Sequence, residues 1–158
     1  MKIAVFRVNG ERRVGVVSDD GSTVTALDFA PELAAAGALT AVRWLAEGRA
    51  LPAQAGPSYR WDHVEHEAPL PAQPRNLFCV GRNYHAHAKE LRDSVFKDND
   101  ANPESWPIVF TKVPQTVVGP WSDVTLPTGI SDKIDYEAEL AVVIGKGGRN
   151  ISRAEAMS

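Results

Sequence analysis

Asp135-Tyr136-Glu137-Ala138-Glu139-Leu140-Ala141-Val142-Val143-Ile144-Gly145 is the stretch on which the reading of this 158-residue chain turns. From Ala138 to Ile144 every residue but Glu139 is apolar, and the run closes at a glycine. A short, β-branched run closed by a turn residue predicts a strand. Side chains on a strand alternate faces. Tyr136, Ala138, Leu140, Val142 and Ile144 then share one face, and Glu137, Glu139, Ala141 and Val143 the other. Two same-face carboxylates, with Cα atoms about 6.5–7 Å apart, can reach one hard divalent cation, which prefers oxygen ligands. The same pattern fits a wet sheet face solvated by its glutamates. Against that, Ala141 and Val143 turn the face apolar, and neighbouring like charges repel unless a cation lies between them.

The composition sets the bounds. Hydrophobic content of 44% and charged content of 23% are those of a globular protein with a core. Seventeen basic and twenty acidic residues give a net charge of −3. With no basic stripe, nucleic acid and anionic membrane are not expected partners. No apolar run approaches the roughly 20 residues of a membrane span, and the run after Met1 is too short for a signal peptide. Cys79 is the sole cysteine, so no disulfide framework exists. A cytoplasmic protein is expected.

Ile3 to Val8, Arg13 to Ser18 and Thr23 to Leu27 read as strands. Asn9-Gly10 is a strong hairpin signal, and Asp19-Asp20-Gly21-Ser22 supplies the next turn. Ala41, Val42, Leu45 and Ala46 fall at helical spacing before Gly48. The first 50 or so residues read as a small β meander with one helix. Five prolines between residues 51 and 75 break any periodicity, which predicts a linker or wrapping segment. His63 and His66 lie there near Glu65 and Glu67, and solvated side chains suit such a loop better than metal ligands.

A second unit opens at Asn76. Leu77 to Val80 is an apolar strand ending at Gly81, and Cys79 within it reads as a buried structural thiol. A helix is expected from about Tyr84 to Leu91, then strands at Ile108 to Lys112 and Val124 to Leu126. Arg92 to Pro107 reads as a loop able to act as a lid. Ser152 and Glu155 form a capping-box pattern, with only three residues after Glu155, so the chain reads as cut short. The expected boundaries are residues 1–70 for the small N-terminal β-rich domain with its proline-rich linker, and 71–158 for an incomplete second domain.

Gly81-Arg82-Asn83-Tyr84-His85-Ala86-His87-Ala88-Lys89-Glu90 carries a second constellation. On a helix, His87 and Glu90 share a face. A histidine oriented by a carboxylate is a general-base arrangement, and the same spacing also suits a weak surface ion pair.

With Phe110-Thr111-Lys112, Val118-Gly119-Pro120 and Val143-Ile144-Gly145-Lys146 added in this order, the sequence resembles the fumarylacetoacetate hydrolase superfamily. The closer likeness is to its small prokaryotic-type members. The resemblance runs from about residue 75 to the end. It implies an α+β fold, a β-rich barrel-like domain of which this chain holds part, preceded by the small β meander.

By that resemblance Glu137 and Glu139 are metal ligands, with a third, an aspartate, beyond Ser158. His87 and Glu90 are the catalytic pair. Arg82, Tyr84 and Lys112 are substrate-binding. The implied cofactor is Mg²⁺ or Mn²⁺, with Ca²⁺ as a further option, and the full-length protein is expected to be a homodimer acting on a small-molecule 2-oxo acid. The expected reaction is metal-dependent hydrolysis of a C–C bond in acylpyruvate-like or fumarylacetoacetate-like 2-oxo or 1,3-dicarbonyl compounds, as in aromatic compound catabolism. Glu90 would hold His87 to take a proton from water, and Arg82 or Lys112 would pair with the substrate carboxylate. Decarboxylation, isomerisation or hydration through the same enolate chemistry stays open. So does a non-catalytic fragment or binding module, which would need no metal. The 158-residue piece alone is expected to be inactive.

Overall fold

The computed structural model describes residues 1–71, 73–86, 89 and 108–157. Two compact units divide the chain: Met1–Ala72 with Val118–Ser158, and Gln73–Val117.

The first unit is built on a five-stranded antiparallel sheet in the order β4-β3-β2-β1-β5. β1 (Lys2–Val8) and β2 (Glu11–Val17) pair along their whole length, from Lys2 opposite Val17 to Val8 opposite Glu11. Their two-residue turn puts Asn9 at φ 51° and Gly10 at φ 81°. Two positive φ values are what a type I′ hairpin turn requires, and Asn-Gly meets that need with little strain. The second turn closes through Asp20. Its carboxylate accepts from the Ser18 hydroxyl and from the Ser22 amide and hydroxyl, which lower its pKa to about 2. β3 (Thr23–Ala26) follows and pairs with β2.

Alternation on these strands makes two apolar faces. Val5 and Val14 pack with Leu27 and Ala38 on one, while Phe6, Val24, Ala26 and Val64 pack on the other. Phe6, Val14 and Val24 are fully buried. Each contributes about 1.5–3 kcal/mol by leaving water. Against the first face lie α1 (Pro31–Ala34) and α2 (Ala38–Ala46). α1 begins on Pro31, whose fixed φ suits a first helical position. α2 buries Ala38, Thr40 and Ala41.

The proline-rich segment is more ordered than its composition suggests. It supplies β4 (Ser58–Arg60), a 3₁₀ turn at Trp61–His63 and β5 (Glu65–His66), each at an edge of the sheet. Edge strands tolerate neighbouring prolines because one side of their ladder is unused. His66 lies against Trp61, with ring centroids 4.3 Å apart and Nε2 3.0 Å from the Trp61 carbonyl oxygen.

The second unit contains β6 (Leu77–Gly81) and β7 (Ile108–Lys112), an antiparallel pair in which Leu77 faces Lys112 and Gly81 faces Ile108. Helical backbone follows at His85, Ala86 and Lys89. The remainder of the expected helix and the expected lid, Arg92 to Pro107, lie outside the described residues.

Two expected strands do not form. Residues 122–127 and 133–144 carry no regular secondary structure. Tyr136, Leu140 and Val142 are exposed at 92%, 83% and 76%, where a half-buried strand would hide one face. A strand exists by hydrogen bonding to a neighbour, and among the described residues none supplies a ladder to residues 135–145. The apolar alternation is present in the sequence, but no sheet reads it. The capping-box pair does form locally: the Ser152 hydroxyl donates to Glu155 Oε2 at 2.6 Å, and residues 153–157 are turn rather than helix.

Candidate functional site

Gly81 ends β6 opposite Ile108, and the chain turns sharply at Arg82, which sits at φ 57°. The left-handed region is uncommon for arginine, and such residues concentrate at functional sites. Arg82 is half-buried, Tyr84 is 43% exposed, and helical backbone starts one residue later at His85. A strand, a tight turn and a helix start thus bring Arg82 and Tyr84 to one end of the β6–β7 ribbon. Lys112 lies at the other end, opposite Leu77 and exposed. Four ladder steps, about 14 Å, separate the two paired positions. His87 and Glu90 lie outside the described residues.

Cys79 shares a ribbon face with Leu77, Gly81, Ile108, Phe110 and Lys112, by its pairing with Phe110. It is half-buried rather than buried, because a two-stranded ribbon covers neither of its own faces.

Glu137 and Glu139 belong to the first unit and are both exposed. They stand on irregular backbone rather than on the expected strand. As a donor set they are two hard carboxylates within one short segment, which fits Mg²⁺, Mn²⁺ or Ca²⁺ and not a thiolate-seeking or imidazole-seeking metal. Among the described residues no group of three or more His, Cys, Asp or Glu side chains is placed to hold a metal ion.

One charged cluster escapes the sequence reading. Arg7 and Arg12 are cross-strand neighbours in the β1–β2 ladder. Glu67 joins them: Arg7 Nη2 donates to its Oε1 at 2.8 Å, and Arg12 grips both oxygens through Nε at 2.5 Å and Nη2 at 2.8 Å. The Arg12 hydrogen bonds, with that from Arg7, hold the Glu67 carboxyl below its ordinary pKa against the opposing effect of burial. The signal was partly readable, since a two-residue turn at Asn9-Gly10 forces Arg7 opposite Arg12 and like charges so placed call for an acid.

The family description "Fumarylacetoacetate (FAA) hydrolase C-terminal" matches residues 76–158, more than half of the chain. This chain belongs to the fumarylacetoacetate hydrolase family. Among its relatives in the family, it is 40% identical over 98 residues to "Oxaloacetate tautomerase YisK" of Bacillus subtilis (strain 168), covering 62% of this chain and 31% of that protein. It is 42% identical over 110 residues to "Oxaloacetate tautomerase FAHD2B, mitochondrial" of Homo sapiens, covering 70% of this chain and 32% of the relative. In structure it is similar to "Fumarylacetoacetate hydrolase (EaFAH)" from psychrophilic Exiguobacterium antarcticum. The TM-score is 0.67 at 30% identity, over 96% of this chain and 50% of that one. The strand-rich fold with few helices agrees with a partial fold of the fumarylacetoacetate hydrolase type. The chain spans about a third of the length of these two curated relatives. No helix among the described residues is long and apolar enough to cross a membrane.

Proposed function

We infer that the protein of this sequence acts on 2-oxo acids through keto–enol chemistry, interconverting the tautomers of an oxaloacetate-type substrate. One observation carries this reading: its likeness, at 40% and 42% identity, to two proteins named oxaloacetate tautomerase. Isomerisation is thereby favoured over C–C bond hydrolysis.

The residues supply a coherent set of roles. Arg82 offers a planar, bidentate fork to the carboxylate of the substrate. Tyr84, two residues on and exposed, lies within the same turn. His87, with Glu90 as its supporting carboxylate, would take the proton from the carbon next to the carbonyl and return one to the enolate oxygen. Glu137 and Glu139 would hold a divalent cation, which would supply Lewis acidity at the 2-oxo carbonyl. Lys112 adds a point charge for a second carboxylate.

C–C hydrolysis is the second reading, favoured by the structural neighbour named a hydrolase. It needs the same enolate and differs in that His87 activates water instead of moving a carbon-bound proton. The test is to follow enol oxaloacetate by its absorbance and acylpyruvate by release of free acid, both with Mg²⁺ or Mn²⁺. The proposal expects rapid, enzyme-dependent loss of the enol and slow or no acylpyruvate cleavage. The reverse order of rates would make the protein a hydrolase, and neither activity would end both readings.

A further inference from the structure

We propose that the N-terminal sheet carries a second ligand site, independent of the 2-oxo acid site, for a small organic monoanion with an apolar tail. Arg7 and Arg12 line a cavity of about 420 Å³ together with the apolar residues Val14, Leu27 and Phe29. That volume lies within the range of small-ligand pockets.

The charge and donor inventory gives the head group. Register puts Arg7, Arg12 and Val14 on one sheet face, together with Val5. Of the charged residues lining the cavity, Arg13 is paired with Glu11 at 2.7 Å, and Arg7 and Arg12 both meet the Glu67 carboxylate, which leaves one positive charge. Glu65, the cross-strand neighbour of Arg7, is exposed and not in ion-pair contact with it. Each guanidinium has five N–H donors. Arg7 uses one on the Gly10 carbonyl and one on Glu67, and Arg12 uses one on the Ala35 carbonyl and two on Glu67. Both keep donors to spare, held at a fixed spacing by Glu67. A carboxylate suits that pair of forks, and an aromatic or branched tail suits the apolar lining. A divalent anion is disfavoured, because the excess is a single charge.

Phenylacetate is a suitable probe and phenylacetamide its uncharged isostere. Binding is followed by amide NMR shifts on the intact chain at low salt. A chelator is present throughout, so that a divalent cation at Glu137 and Glu139 cannot capture the carboxylate. The expected result is saturable shifts at Val14, Leu27 and Phe29, with the amide bound about tenfold more weakly. Arg7→Gln removes the excess charge yet leaves Arg12 bidentate on Glu67, and should weaken phenylacetate by a similar factor. If Arg7→Gln fails to fold, the acid–amide comparison and the loss of binding at raised salt decide the matter. Equal binding of acid and amide, unchanged affinity in a folded Arg7→Gln protein, or shifts confined to other residues would overturn the proposal.

Discussion

Glu67 bridges sequence positions that nothing local connects, and its removal should be felt at both ends. It is 14% exposed in its side chain and closes ion pairs with Arg7 and Arg12. Glu67→Gln leaves two adjacent cations with weakened partners, so urea denaturation should show a loss of about 1–3 kcal/mol. The pH dependence follows from the same contacts. The folded pKa lies below the ordinary 4.5, so the contribution is complete above that value and is lost as pH falls below it through the folded pKa. The urea midpoint of the wild type should therefore fall more steeply below pH 4.5 than that of Glu67→Gln, and parallel curves would refute this. Gly10, at φ 81°, makes a smaller test: Gly10→Ala should cost about 1 kcal/mol by thermal unfolding. The turn was legible in the sequence because Asn-Gly acts locally. Glu67 was not itself legible: the turn sets Arg7 opposite Arg12, but the acid that joins them lies 55 and 60 positions away.

Elements differ in how far their patterns carried. β1, β2, β3, β6 and β7 were all legible, since each has a compact apolar or alternating run and a described partner strand. β4 and β5 were hidden by surrounding prolines, and their two or three residues give no period to read. The Glu137 segment fails in the opposite sense, with a clear pattern and no ladder among the described residues. Its approach is anchored all the same. A Cβ on Gly119 would come within 2.7 Å of the His66 carbonyl oxygen, so the backbone of residues 118–120 lies close against the end of β5. Gly119 also opens a turn closed by the Ser122 amide on its carbonyl, with Trp121 at φ 65°. Gly119→Ala must push this segment off β5. The expected outcome is about 1–3 kcal/mol of destabilisation and faster amide exchange at Glu67, whose N–H donates to the Val5 carbonyl. Unchanged exchange at Glu67 would show that the contact is not maintained in solution.

At the scale of the whole molecule, the proposed function rests on one chemical claim: that Glu137 and Glu139 hold a divalent cation that serves 2-oxo acid chemistry. The family was legible from motif order, whereas the choice between tautomerase and hydrolase was not, because both pass through the same enolate and use the same residue types. Ala141 and Val143, expected to make the glutamates' face apolar, are themselves exposed, so that apolar setting is not formed by the described residues. The claim can therefore be tested on the carboxylates themselves. The decisive measurement is the initial rate of enol oxaloacetate consumption against Mn²⁺ concentration, for the wild type and for Glu137→Gln. The account predicts a saturable, chelator-reversible metal dependence in the wild type and a rate lower by about a hundredfold or more in the variant at the same Mn²⁺. A wild-type rate that persists in chelator, or a variant whose Mn²⁺ curve overlays that of the wild type, would contradict it.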